Sequence, residues 1–317
     1  MVLIITRPIL IVGFGSIGRR HLRNLKTLGH KNFVLYRTSK STLPDDEILD
    51  IPVEYDLAKA LAHKPIATII ANPTALHMSV ALAAARAGSH LFLEKPISHT
   101  MDGVEDLRRL VKRKKLIVQV GFQFRFHPLL RRIKRLLEEN KIGPIVSVQA
   151  HWGEYLPDWH KGEDYHLSYS AREELGGGVL LTLSHPFDYM RWLIGEIGSV
   201  SAVQSRSGGL KIDVEDSADV LLNFKSGAIG NVHLDYIERP SRHFIHIIGQ
   251  NGIIHWDNSK PKNFDRNRLF IDEMRHFISC ITKSEQPLCS LNDGIATLRI
   301  VLTAKQSVKE ERLIKLI

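Results

Sequence analysis

The chain has 317 residues, a length that suits two domains better than one or three. Its 44% apolar and 24% charged residues exclude a disordered, collagen-like or low-complexity protein, and no apolar run nears the roughly 18 residues of a membrane span. The net charge of +9 is concentrated in residues 1–124, with 18 Lys and Arg against 10 acids, while residues 125–317 carry 25 against 24. That field favours an anionic partner, phosphorylated cofactor or nucleic acid alike.

The opening residues reach Arg7 after a short apolar stretch and show no small-residue cleavage site, so no signal peptide is read and a cytoplasmic protein is expected. A β-branched strand is predicted over 8–12, a helix over 16–28, and short strands over 31–36 and 51–55. Asp56 is the expected N-cap of a helix to 62. Strand 65–71, an Ala-rich helix 74–87 closed by Gly88, strand 90–93, helix 101–115 and strand 116–121 follow. Strands alternating with helices imply parallel βαβ units, hence an α/β, doubly wound Rossmann sheet.

Past residue 124 the pattern changes. A basic amphipathic helix over 128–139 leads into a strand over 145–155, then a Gly-rich turn and an apolar helix over 176–193. Strands are predicted over 199–205, 214–224, 228–236, 243–248 and 252–256, and closing helices over 269–281 and 291–311. Clustered strands with helices on either side predict an α+β domain with a large, mostly antiparallel sheet. The expected division is residues 1–124 for a dinucleotide-binding domain and 125–317 for a substrate-binding and oligomerisation domain.

Gly13, Gly15 and Gly18 form GxGxxG between the first strand and first helix, with Ser16 and Ile17 between them. The first glycine permits the tight turn, the second admits a pyrophosphate, and the third allows close helix packing, with the phosphates on the helix N-terminus. After the second strand stand Arg37, Thr38, Ser39 and Lys40, with no carboxylate to bind a ribose 2′-hydroxyl. NADP is therefore the expected cofactor, with NAD possible and exposed loop cations the alternative. Glu94-Lys95-Pro96 follows the fifth strand, at the sheet edge where such folds bind ligands. An ammonium group there can steady the oxygen charge that develops in hydride transfer. Thr182, His185, Tyr189 and Trp192 recur at helical spacing after Gly176 to Gly178, and His185 suits a proton shuttle. Residues 151–165 crowd aromatic, acidic and histidine side chains, among them Trp159 and Tyr165, a mixture that suits sugars. Two cysteines without CxxC spacing, and 16 histidines without HExxH, give no expectation of a metal site. The cations lack a nucleic-acid recognition motif.

These pieces in this order resemble the Gfo/Idh/MocA oxidoreductase family, over essentially the whole chain. The resemblance runs from Gly13-to-His21 through Asn72-Pro73-Thr74 with His77, Glu94-Lys95-Pro96, Gly121 to Pro128 with Arg125, and the Gly-rich helix with His185 and Asp188. It continues to Gly249-Gln-Asn-Gly252 and Ser290 to Gly294. It implies a Rossmann domain, an open-faced sheet that often forms a homodimer or homotetramer interface, and a nicotinamide cofactor. Gly13, Gly15, Ser16, Ile17, Gly18, Arg37, Thr38, Ser39, Asn72, Pro73, Thr74, His77, Glu94 and Lys95 are the expected cofactor residues. Lys95 and His185 are the expected catalytic pair on the substrate oxygen, with Arg125, Trp159, Tyr165, Thr182 and Asp188 around a sugar, polyol or nucleotide-sugar. One departure stands out. Many members carry an aspartate four residues past the glycine triplet, where this chain has Thr182, which cannot relay a proton. Lys95 and His185 must then suffice, or borrow Asp188 or Tyr165. The alternative is a non-catalytic dinucleotide-binding regulator of the same fold.

Overall fold

The computed structural model describes residues 6–38, 48–159, 164–258 and 264–316. The chain forms two compact units, Met1–Gln123 with Asp265–Ile295 and Phe124–Phe264 with Ala296–Ile317.

The first unit begins β1 (Ile9–Val12), α1 (Ser16–Thr27), β2 (Phe33–Tyr36), β3 (Val53–Glu54), α2 (Leu57–Ala62) and β4 (Ala67–Ile70). It continues α3 (His77–Arg86), β5 (His90–Leu93), α4 (Val104–Lys114) and β6 (Val118–Val120). The six strands form a parallel sheet in the order β3-β2-β1-β4-β5-β6. Every residue of β1 and β4 is buried, as a strand covered on both faces requires. Asp56 caps α2 by accepting the Lys59 N–H.

The second unit holds α5 (Pro128–Glu138), β7 (Ile145–Gly153), α6 (Val179–Thr182), α7 (His185–Ile194), β8 (Ile197–Ser205) and β9 (Ser217–Phe224). It goes on through β10 (Ile229–Asp235), β11 (Arg242–Gly249) and β12 (Gly252–Asp257). The chain then forms α8 (Asn267–Lys283), α9 (Leu291–Glu310) and β13 (Ile314–Lys315). The seven-stranded sheet runs β12-β11-β7-β10-β9-β8-β13, with β7 and β10 parallel and every other pair antiparallel. One face is apolar and covered: α6 packs on β9 and β10, and α7 on β7 and α5. Period-2 alternation sends the other residues to the opposite face, where Leu221 and Ile229 are exposed.

Two features depart from the sequence-based expectations. Residues 265–295 belong to the first unit, where a boundary at 124 assigns them to the second. Helix α8 presents an apolar stripe, and Met274, Phe277 and Ile278 bury it in the core that contains Ile11, Leu22, Leu35 and Phe92. The Gln119 side chain adds a hydrogen bond to the Glu273 carbonyl, 3.0 Å. The predicted helix 176–193 is broken into α6 and α7. Pro186 has no N–H to give the Thr182 carbonyl, so the first helix ends at Thr182, with Leu183 as its C-cap, and a second starts at His185. Thr182 and His185 consequently sit on different helices. Among the described residues no helix is long and apolar enough to cross a membrane.

His127 illustrates how tightly the second unit is built. Its Nδ1 accepts the Leu129 N–H and so caps α5, while its ring packs on Phe124, Trp256 and Phe264. Burial lowers its pKa from 6.5 to about 4, against the opposing hydrogen bond with Asn258. The folded ring stays neutral where the unfolded ring takes a proton, so its contribution to stability is complete above pH 6.5, declines as the pH falls and is gone below about 4. In urea titrations, His127→Asn, which keeps a capping acceptor, should flatten the loss of stability between these limits. Equal slopes for both proteins would remove His127 as its source.

Candidate active site

In the first unit the site begins where β1 stops. Gly13 turns with φ +84°, and a Cβ there would lie 2.6 Å from the Asn72 amide nitrogen, so both backbone angle and crowding demand glycine. Gly18, buried in the first turn of α1, presses on the Gly13 carbonyl and leaves no space for a side chain. Gly15 differs: a Cβ there would meet nothing within 4 Å, and the residue is exposed. Helix α1 starts beside it without a side-chain cap and without an acid in its first turn, and Ser16 is exposed. Unspent amide donors facing open space at the positive end of a helix fit a pyrophosphate.

The loops past β4 and β5 are fastened to each other. His77, fully buried at the start of α3, places Nδ1 2.9 Å from the Pro96 carbonyl and Nε2 2.8 Å from the Asn72 carbonyl. Burial holds its pKa below the usual value, against the pull of those two carbonyls. Pro73 precedes a 3-10 turn, Thr74–Leu76, in which Thr74 is buried. The Glu94 carboxylate is also buried. Burial pushes its pKa up, but a 2.6 Å hydrogen bond from His21 and the nearby Lys95 charge outweigh this and keep it below the carboxylate range. The Lys95 N–H also reaches Glu94, at 3.2 Å. Glu94 therefore pairs with His21 on α1, and this pairing fixes the turn carrying Lys95. That turn, with a cis Lys95–Pro96 bond, leaves Lys95 half-buried.

At the end of β2, Arg37 is buried and Thr38 exposed, and neither Asp nor Glu stands there; Ser39 and Lys40 lie outside the described residues.

In the second unit His185 is the first residue of α7 and is buried between aromatic rings. Phe124 meets it edge-on at 5.1 Å and Trp152 stacks on it at 5.3 Å. Trp152 stacks in turn on His243 at 4.0 Å, and His243 pairs with Glu154 at 2.8 Å. Arg125 and Asp188, both expected to meet substrate, meet each other: Nε to Oδ2 at 2.9 Å and the second guanidinium nitrogen to Oδ1 at 2.7 Å, fully buried, with Thr297 at 3.5 Å. A bidentate, charge-assisted pair of this kind is strong and fixes both side chains in one geometry. Thr182 is buried against the Tyr236 hydroxyl, whose pKa burial raises, and Trp159 packs edge-on to the same ring at 5.5 Å. Tyr165 stacks on His166 at 3.9 Å; residues 160–163 are outside the described part. His243 holds a position the sequence motifs do not single out, because its partners Trp152 and Glu154 are remote in the chain.

A glycine-lined, uncapped helix start at the carboxyl edge of a six-stranded parallel sheet defines a dinucleotide-binding unit. A family model described as "Oxidoreductase family, NAD-binding Rossmann fold" matches residues 7–122, and the "GFO/IDH/MocA C-terminal domain" model matches residues 130–255. The chain belongs to the Gfo/Idh/MocA family of oxidoreductases. It is 27% identical to the myo-inositol 2-dehydrogenase of Thermotoga maritima, over 96% of this chain and 97% of that protein. It is 32% identical to the levoglucosan dehydrogenase of Pseudarthrobacter phenanthrenivorans, over 51% of this chain and 47% of that protein, so less than half of that relative is spanned. The fold matches the WlbA dehydrogenase from Bordetella pertussis in complex with NADH and UDP-GlcNAcA, with a TM-score of 0.85 and 21% identity, covering 98% and 99% of the two chains.

Replacing Gly13 by Ala forces a side chain into a left-handed conformation costing roughly 1–2 kcal/mol, before the Asn72 contact is counted. Nicotinamide-cofactor affinity, read by fluorescence titration, should fall at least about tenfold. Unchanged affinity would show that this turn does not shape the phosphate site.

Proposed function

We propose that the protein is a dehydrogenase or reductase that moves a hydride between a nicotinamide dinucleotide, NADP in preference to NAD, and a carbinol or ketone carbon of a sugar, polyol or nucleotide-sugar. The observation that carries the reading is Lys95, set immediately past β5 in the cofactor unit and fixed there by the His21–Glu94 pair. The first unit serves as the cofactor domain and the second as the substrate domain. Bound to the first unit, the nicotinamide ring supplies the hydride acceptor or donor. The Lys95 ammonium donates a hydrogen bond to the substrate oxygen, orienting it and stabilising charge as it develops. His185 takes the hydroxyl proton in oxidation and returns it in reduction. Its aromatic surroundings hold the ring in one orientation, as a proton carrier needs.

The named relatives act on an inositol and on levoglucosan, both polyhydroxylated rings, which supports the substrate class. Arg37 beside the exposed Thr38, with no carboxylate among the described residues that end β2, supports the NADP preference. The exposed Val203, Leu221, Ile229 and Ile253 on the uncovered sheet face support a homodimer or homotetramer. Two buried cysteines that form no disulfide suit a reducing compartment such as the cytoplasm. A second reading, a dinucleotide-binding regulator without turnover, is favoured by Thr182, buried where many members place an aspartate.

Lys95→Met should lower kcat about 10²–10³-fold while cofactor affinity stays within a few-fold; turnover equal to wild type removes Lys95 from the mechanism. A panel of polyols and sugars that leaves bound cofactor unchanged in both redox directions favours the regulator. Comparison of KM for NADPH and NADH should show the lower value for NADPH, and a clear NADH preference overturns that choice.

A further inference from the structure

We propose that His151, His233 and Asp235, joined by Glu238, bind a divalent transition metal of the zinc class on the uncovered face of the second unit's sheet. This inference is independent of the hydride-transfer reading. The residues are brought together by strand register. His151 on β7 lies directly opposite His233 on β10, and His233 lies opposite Asp219 on β9. Two residues on, Asp235 stands opposite Gly153. One ring nitrogen of each histidine and one Asp235 oxygen fall within 4.8 Å of one another. Bonds of about 2.0–2.2 Å to a tetrahedral ion place ligand atoms roughly 3.3–3.6 Å apart, so closing the set requires one of the two stacked rings, 4.9 Å apart, to turn so that both nitrogens face the ion.

Three details go beyond a chance meeting of polar side chains. First, Asp235 is aimed: its Oδ1 accepts the backbone N–H groups of Ile237 and Glu238, both at 2.7 Å, which leaves Oδ2 turned to the histidines. His233 Nε2 is 3.4 Å from that oxygen. Second, His233 is oriented from behind, because its Nδ1 lies 3.0 Å from Asp219. A histidine that donates one ring N–H to a carboxylate and offers its other nitrogen is the arrangement that supports metal ligands. Third, Gly153 makes space: a Cβ there would strike both the Glu238 and Asp235 carboxylates, which therefore crowd the same point. His151 Nε2 is hydrogen-bonded to Glu238 and its ring is stacked on Phe244. Once the ion displaces the proton that Asp219 and Asp235 favour on His233, two imidazole nitrogens and two carboxylates match a doubly charged, borderline-soft ion in both charge and donor type. In the single chain His151, His233 and Glu238 remain half-exposed, so an ion can reach them before this face is covered by another copy.

The test uses the purified full chain, dialysed against a chelator and titrated with zinc chloride by calorimetry, with melting temperature followed in parallel. The expected result is one zinc per chain and a higher melting temperature that chelator reverses. His233→Ala and His151→Ala should each abolish stoichiometric binding. Asp219→Asn, a conservative change behind His233, should weaken it about 10–100-fold. His255→Ala, which removes an imidazole facing His246 on the same sheet face, should leave it unchanged. No stoichiometric binding to the wild-type chain overturns the proposal, as does binding that survives His233→Ala and His151→Ala or that disappears in His255→Ala.

Discussion

An ionised carboxylate inside an apolar interior must be matched, and the match made for Glu94 by His21 governs the first unit's chemistry. The His21 ring is itself wedged edge-on against Phe92 at 4.9 Å and Phe270 at 6.3 Å, so the carboxylate is tied to a group that cannot move away. Removing one member of a buried pair leaves the other uncompensated, at a cost of about 3–5 kcal/mol. The turn that follows β5 inherits this rigidity. On its other side the His77 ring is wedged between the Pro96 and Asn72 carbonyls, 2.9 and 2.8 Å away, and Asn72 in turn crowds Gly13. A chain of short contacts thus links the phosphate turn, the loop after β4 and the lysine turn. Displacing any one of them by an ångström would disturb all three.

The second unit solves a similar problem with different means. Asp188 and Arg125 neutralise each other in a bidentate pair, with the guanidinium 5.9 Å over the Trp192 ring. His185 lies outside this pair. It stands at the first position of α7 because Pro186 forbids a continuous helix, and the stack Phe124, His185, Trp152 and His243 fixes the plane of its ring. The same proline that breaks the predicted helix therefore places the imidazole at a helix start.

Much of this was legible in the chain because it is encoded locally. The glycine spacing, Lys95 directly after an apolar strand, the Asp56 cap and the strand-helix alternation each depend on residues within a few positions of one another, and the structure has them where the pattern put them. What escaped depends on long-range packing. The stripe of α8 is as visible as any other amphipathic pattern, but periodicity says only that it must be buried, not against which sheet. The pairing of Arg125 with Asp188 also escaped, because composition shows two charges and nothing of their separation. The two-residue strand β13 rests on pairing with β8 alone and has no sequence signal of its own.

The open face of the second sheet sharpens that distinction. Metal motifs are recognised by ligands a few residues apart, a spacing set by one helix or one turn. A sheet can build a comparable cluster from ligands on separate strands, with the register as the only connection. On this face the alternation that sends Val232 and Leu234 into the core sends His233 and Asp235 outward, and the parallel pairing of β7 with β10 brings His151 alongside. A slip of one residue in β10 would turn His233 and Asp235 toward the core and expose Val232 and Leu234. The apolar face therefore sets the register, and the register sets the cluster: the same burial that stabilises the sheet decides which imidazoles and carboxylates meet on its other side.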